Sequence, residues 1–189
     1  MATAIVSAAP PAVRRIASVV VPAILVAVVN ATLAFTQILS PAQPGEGHRF
    51  TRSSDFLIEY QFAASLLLAT VAVLALADAH RRRADRWGTF GTAASVLYAV
   101  ATGLFGISAA VTAIRGTESL DVIQFPAILL WLVSGLLMAI VTIRARLLPV
   151  IVGIGFAVSL PATMALGDAG PLALAVLWFA VAATARHRR

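Results

Sequence analysis

Glu59 is the residue of this sequence whose type and position most clearly suggest chemistry. It lies about one helical turn inside an apolar stretch that begins at Asp55, and charge is kept out of hydrocarbon unless something compensates for it. A spacing of four residues puts Asp55 and Glu59 on one face of a helix. Because two carboxylates at that spacing disfavour joint ionisation, Glu59 is a candidate proton donor with Asp55 as its catalytic partner. The alternative is that Glu59 reaches the lipid headgroups or pairs with Arg49 or Arg52.

Polar and aromatic side chains recur at spacings that put them on single helix faces. Asn30 and Gln37 are seven residues apart, as are Gln124 and Trp131. Such groups either link neighbouring helices by hydrogen bonds or line a pocket of mixed aromatic and polar character. On the second interpretation, six residues are candidates for substrate binding: Tyr60, Asn30, Tyr98, Gln124, Trp131 and Asp121.

Three apolar stretches begin at an aspartate, namely Asp55, Asp121 and Asp168. Aspartate is a preferred helix N-cap, and its charge suits the positive end of the helix dipole. Capping is therefore the favoured interpretation for Asp121 and Asp168. A functional interpretation is an acidic ring around the mouth of a helix bundle.

The composition identifies the elements that must position these residues. Of the 189 residues, 60% are hydrophobic and only 12% are charged, and the mean hydropathy is +0.94. Ordinary soluble domains are about 45–50% apolar and about 25% charged. The sequence therefore predicts an all-α, polytopic membrane helix bundle that forms one transmembrane domain over residues 1–189.

The apolar runs predict about six transmembrane helices, since about 20 residues cross a bilayer core. The last run has only 15 residues, so we expect it to be the shortest span. The predicted spans are Ile16–Leu39, Phe56–Ala79, Thr89–Ala113, Val122–Ile143, Leu147–Leu166 and Pro171–Ala185.

The arginines orient this bundle. Eleven of the 14 fall on one side of the predicted spans, and only Arg49, Arg52 and Arg115 fall on the other. Because cytoplasmic loops carry an excess of basic residues, both termini are predicted to be cytoplasmic and the protein to span the plasma membrane. The long connection Ser40–Asp55 is then external, either as a solvated loop or as a lid.

Several classes of function are not expected. The net charge of +6 comes from arginines at the ends of spans, which is typical of membrane topology and not of nucleic-acid binding. Cysteine is absent, and His48, His80 and His187 are expected in loops or the tail. We therefore predict no metal site and no cofactor.

Two resemblances suggest a function. The stretch Arg144–Pro149, followed by a glycine-bearing helix, a short turn and a last helix with Trp178 and an arginine tail, looks like part of many small six-span actinobacterial membrane proteins. The size, the span count and the isolated acids also resemble those of small membrane-bound terpene cyclases. That resemblance implies a lipophilic small molecule such as an isoprenoid as substrate. It also implies Glu59 as the acid, partnered by Asp55, Asp121 or Asp168.

A third resemblance leads to an alternative function. Six spans, cytoplasmic termini, a long first external loop and the small-residue face of Ala23, Ala27 and Ala31 are similar to features of the substrate-binding subunits of vitamin transporters. In those proteins the small residues contact a partner membrane subunit. This resemblance implies a non-enzymatic transporter subunit, or an accessory membrane protein, with a partner in the bilayer.

Overall fold

The computed structural model describes residues 11–41, 49–82, 85–116 and 121–187, and their side chains except at 11–17, 121 and 187. Within these ranges the chain forms six α-helices and one short 3-10 turn, Gly167–Ala169, which confirms the predicted all-α helix bundle. The helices are α1 (Pro11–Leu39), α2 (Ser53–Arg81), α3 (Arg86–Arg115), α4 (Asp121–Arg144), α5 (Val150–Ala165) and α6 (Gly170–His187).

Five of these six helices are long and apolar enough to cross a membrane, and α5 is the shorter one. Its 16 residues rise about 24 Å, against a hydrocarbon core of about 30 Å. The sequence placed the short span at the C-terminus, which was wrong because the chain between α4 and α5 uses more residues than expected. Arg146 adopts a left-handed conformation after the end of α4, and Pro149 stands just before the first turn of α5.

The helices form a closed ring in chain order. Each helix packs against the next one along the chain, and α6 packs against α1 to close the ring. Within the described ranges, no two helices on opposite sides of the ring come into backbone proximity. Side chains must therefore fill the middle. We call the end where α2 begins and α3 ends the Asp55 end, and the opposite end the arginine end.

The outer surface of the ring is largely apolar, unlike the surface of a soluble protein. Large apolar side chains such as Val21, Phe35 and Phe125 are exposed around the ring, while Asn30, Ser95 and Thr102 are buried inside it. An apolar exterior of this kind suits lipid, which offers no hydrogen bonds. The fold is therefore that of a multi-pass membrane protein.

Charged side chains fix two of the helix ends. The Asp85 carboxylate accepts a hydrogen bond of 2.9 Å from the backbone N–H of Gly88 and caps α3. At the end of α2, the Arg82 guanidinium donates a hydrogen bond of 2.9 Å to the Asp78 carboxylate and forms an ion pair with it. That hydrogen bond and the charge of Asp78 raise the pKa of Arg82 above its ordinary value.

His80 lies in the last turn of α2 and is completely buried, so its expected place in a loop was wrong. Its imidazole ring lies directly over Gly91 of α3. A Cβ atom added at Gly91 would come within 2.1 Å of the His80 ring. The absence of a side chain at Gly91 therefore allows α2 and α3 to approach at the arginine end.

Gly91→Ala is expected to destabilise the fold by about 1–3 kcal/mol, because the buried His80 ring has no solvent space to move into. The measurement is thermal unfolding of the purified protein in detergent. Gly103→Ala is the matched control on the same helix, since its added Cβ would meet Thr70 at an ordinary 3.6 Å. Equal unfolding temperatures for the two variants would contradict the close packing of His80 on Gly91.

Candidate functional site

Six aromatic rings form a continuous chain through the middle of the bundle. In order they are Phe62, Phe105, Trp131, Tyr98, Phe156 and Trp178. Successive ring centroids are 5.4, 6.1, 6.1, 5.6 and 5.8 Å apart, and every pair is edge-to-face. The positive edge of one ring meets the negative face of the next, which contributes about 0.5–1.5 kcal/mol per pair beyond burial.

Hydrogen bonds fix the centre of this aromatic chain. The indole N–H of Trp131 donates to the hydroxyl oxygen of Tyr98 at 2.8 Å. The hydroxyl of Ser159 donates to the carbonyl oxygen of Phe156, so the 3.4 Å contact between Tyr98 and Ser159 has Tyr98 as its donor. Tyr98 thus joins α3 to α4 and α5 by one hydroxyl group.

The structure brings together Tyr98 and Trp131 but separates Tyr60 from them. Tyr98 and Trp131 are both buried, at 1% and 3% exposure, whereas half of Tyr60 is exposed on the outer surface of the ring. The sequence interpretation did not include Phe62 or Phe105. A signal was present, because Phe105 follows Tyr98 by seven residues and therefore shares its helix face.

The two catalytic candidates of α2 have different surroundings. Asp55 is 2% exposed, and its Oδ2 atom accepts hydrogen bonds from the backbone N–H groups of Thr51 and Arg52, at 3.3 and 3.1 Å. It therefore holds the first turn of α2, as a capping carboxylate does. Glu59 is half-buried one turn further in. Phe62, at the start of the aromatic chain, follows it by three residues.

The register of α2 against α3 places Glu59 relative to the opposite helix. The hydroxyls of Thr70 and Thr102 are 2.9 Å apart. Gly106 faces Leu66 and Leu67 in the same antiparallel register, which continues towards the Asp55 end. Extending it places Glu59 level with Thr112. Ser108 and Thr112 follow Phe105 on its own face of α3, and both are buried.

At the Asp55 end, a backbone hydrogen bond links the residues just before α2 to the residue that follows α3. The N–H of Phe50 donates to the carbonyl oxygen of Gly116 at 2.8 Å, and the Phe50 and Phe56 rings are 5.4 Å apart. Gly116 has φ +65°, which disfavours any residue with a Cβ, and an added Cβ would lie 3.1 Å from Phe56. Residues 42–48 of the connection suggested as a lid lie outside the described residues.

The remaining candidates lie on other helices. Asn30 is fully buried near the middle of α1. Its amide N–H₂ donates to the carbonyl of Val26 at 2.9 Å, and its Oδ1 atom has no hydrogen-bond partner in the described chain. Gln124 is half-buried near the start of α4. Asp121 opens α4, but its side chain is outside the described set. Asp168 is exposed in the 3-10 turn before α6, so the structure does not gather the three aspartates into a described ring.

Two apolar grooves mark the outer surface of the ring. One of about 240 Å³ lies between α5 and α6, and Ser159 is among its lining residues. A second of about 200 Å³ lies between α1 and α6 at Ala27 and Ala31. Ser159 also contacts Tyr98, so one residue that lines the first groove touches the aromatic chain.

Comparisons with known proteins give no relative. No protein-family model matches the chain, no curated protein is detectably similar, and no solved structure matches it. Within the described ranges, no group of three His, Asp or Glu side chains gathers where a metal ion could be held. The function must therefore be argued from the side chains of the site.

Tyr98→Phe is expected to destabilise the protein by about 1–3 kcal/mol, because it leaves the buried indole N–H of Trp131 without an acceptor. Thermal unfolding followed by tryptophan fluorescence is the measurement. The sequence contains only one other tyrosine, and Tyr60→Phe is the matched control because its ring is half exposed. If both variants unfold at the wild-type temperature, the Trp131–Tyr98 hydrogen bond does not stabilise the bundle.

Proposed function

We propose that this protein binds a lipophilic small molecule, such as an isoprenoid, inside the Asp55 end of the bundle and cyclises it by protonation. The observation that supports this proposal is the position of Glu59 directly before the Phe62–Phe105 contact, where the aromatic chain begins. An acid followed by a series of ring faces suits a substrate that becomes cationic. This activity would match that of the membrane-bound terpene cyclases that the sequence resembles.

The proposed reaction is an isomerisation. Glu59 transfers its proton to one carbon of a substrate double bond, and the positive charge develops on the other carbon. A second double bond of the same molecule attacks that carbon and forms the new carbon–carbon bond. Loss of a proton to a carboxylate then restores the acid and leaves a neutral ring. No oxidant, metal or cofactor is required.

The aromatic chain would stabilise the positive charge. Ring faces attract cations within about 6 Å of their centroids, and the attraction strengthens where water is excluded. Phe62 and Phe105 follow Glu59 most closely, and Trp131 and Tyr98 lie deeper. Of the aromatic candidates from the sequence, Trp131 and Tyr98 keep this role in the proposal, whereas Tyr60 faces outwards.

Glu59→Gln tests the proposed acid, because it keeps the shape and hydrogen bonding of the side chain but removes its transferable proton. We expect cyclisation to fall by at least about a hundredfold, within the usual contribution of a general acid. The measurement is the appearance of isomeric cyclic products when membranes containing the protein receive linear isoprenoids. Asp168→Asn, an exposed acid at the same end, is the control and should keep full activity.

The alternative function is a non-enzymatic one, as a transporter's substrate-binding subunit or an accessory protein. Under it, the Glu59→Gln variant would still bind lipophilic ligands, and the wild type would show no turnover. Of the small residues that suggested a partner, Ala23 and Ala27 are buried within the bundle, whereas Ala31 is half-buried and lines the outer groove between α1 and α6. The burial of Ala23 and Ala27 favours a role for those two residues in packing α1 against its own neighbours.

We further propose that the Asp55 end is external and that both termini are cytoplasmic in the plasma membrane, as the arginine distribution favours. A reporter enzyme fused after Arg189 is expected to be active only in its cytoplasmic form. Fusion of the same reporter within residues 42–48 should give the external form. The opposite pattern would place Glu59 at the cytoplasmic face and would overturn this orientation.

A further inference from the structure

A tryptophan at the arginine end contacts two arginines from neighbouring helices. Trp87 is half-buried in the first turn of α3, and α3 packs against α4. The guanidinium carbon of Arg86 lies 5.1 Å from the centroid of the Trp87 ring. That of Arg144, the last residue of α4, lies 6.0 Å from the same centroid. Cation–π contacts extend to about 6 Å, so one indole ring holds two positive charges where α3 meets α4.

The acids of the arginine end leave this pair of charges without an ionic partner. Among the described residues, the acids at this end are Asp78 and Asp85. Asp78 pairs with the two arginines that end α2, and the Asp85 carboxylate caps α3. Neither the Arg86 nor the Arg144 guanidinium forms an ion pair within the described ranges. Two like charges beside one ring favour the binding of an anion between them.

An exposed apolar residue lies one helical turn further into the bundle from each of these arginines. Phe90 follows Arg86 by four residues on α3, and Ile140 precedes Arg144 by four on α4, so each shares a helix face with its arginine. Phe90 is 60% exposed and Ile140 is 53% exposed. The Phe90 ring centroid lies 6.3 Å from that of Trp87. Two cations at the end of the bundle are thus bordered by apolar surface on the side of the hydrocarbon.

We propose that the junction of α3 and α4 binds an anionic phospholipid, with its phosphate between Arg86 and Arg144 and its acyl chains along Phe90 and Ile140. A phosphodiester has two unesterified oxygens that share its negative charge, so each guanidinium can donate to one of them. The Trp87 ring holds the two guanidiniums near each other, and indole rings suit the depth of the headgroups. Basic sites between transmembrane helices select anionic head groups in this way.

Other ligands with a phosphate fit this surface less well. A free phosphate or a small soluble phosphate ester would match the arginines but would leave Phe90 and Ile140 uncovered. A zwitterionic phospholipid would bring a cationic ammonium group near two arginines, which offsets the attraction of its phosphate. The exposed apolar residues and the paired charges therefore favour a lipid with a net negative charge. This inference is independent of the proposed cyclisation, whose acid, Glu59, lies near the opposite end of α2.

Quenching of tryptophan fluorescence by brominated phospholipids tests this binding. Of the three tryptophans, Trp131 and Trp178 are buried at 3% and 1% exposure, so contact with a bound lipid quenches mainly Trp87. Brominated phosphatidylglycerol or brominated phosphatidylcholine is titrated into the full-length protein in detergent micelles. The wild type is expected to bind phosphatidylglycerol at least about tenfold more tightly, since each arginine near a membrane surface favours anionic lipid.

Two double variants distinguish the arginine pair from the general charge of this end. Arg86→Gln, Arg144→Gln should lose the preference for phosphatidylglycerol and keep its affinity for phosphatidylcholine. Arg81→Gln, Arg186→Gln is the matched control, because it removes two other exposed arginines from the same end. Neither of these lies over the Trp87 ring, so the control should keep the preference.

Three results would overturn the inference. If the wild type binds the two lipids equally, the junction of α3 and α4 does not select an anionic head group. If both double variants lose the preference to the same extent, the overall charge of the arginine end attracts the lipid and the pair around Trp87 does not. If soluble glycerol 3-phosphate displaces the brominated phosphatidylglycerol as effectively as unlabelled phosphatidylglycerol does, the arginines bind a phosphate without its acyl chains.

Discussion

Hydrocarbon cannot hydrogen-bond, and this constraint governs the whole structure. Every backbone polar group must find its partner within the bundle, and most of the ring's outer surface is apolar while side chains such as Asn30, Ser95 and Thr102 are buried inside. The hydrophobic effect cannot drive helices together where lipid is as apolar as leucine. Close packing and a few hydrogen bonds must do so. The fit of His80 over Gly91 and the paired hydroxyls of Thr70 and Thr102 are such contacts between α2 and α3.

The aromatic chain follows from the same constraint. Helices on opposite sides of the described ring do not approach one another, so large side chains must fill its middle. Rings from α2, α3, α4, α5 and α6 meet there edge-to-face, and Tyr98 contacts both Trp131 and Phe156 while its hydroxyl bonds to two helices. A single side chain therefore fixes the relative positions of three helices. The proposed substrate would lie against groups that packing already holds in place.

Much of the fold was predictable from the sequence, but the inward faces of the helices were not. Long apolar runs ending in arginines sufficed for the helices and their order. Apolar residues surround each helix, however, so periodicity could not tell that Tyr60 faces outwards while Tyr98 faces inwards. The lengths of α5 and α6 were misjudged because Arg146 takes a left-handed turn that usually signals glycine. Whether a buried hydroxyl such as that of Ser108 finds a partner among the described residues depends on tertiary contacts, which no local pattern encodes.

The carboxylates of Asp55 and Glu59 on α2 differ in position and in proposed role. Asp55 accepts from the backbone at the entry to the helix, so its orientation is set by the turn that it holds. Glu59 follows one turn later on the same helix, three residues before Phe62 of the Phe62–Phe105 contact. A reactive acid must be held in place by groups that do not react. If Glu59 is the acid, as proposed, Asp55 supports it by holding the first turn of α2, and the proposed chemistry then belongs to Glu59 and not to the pair.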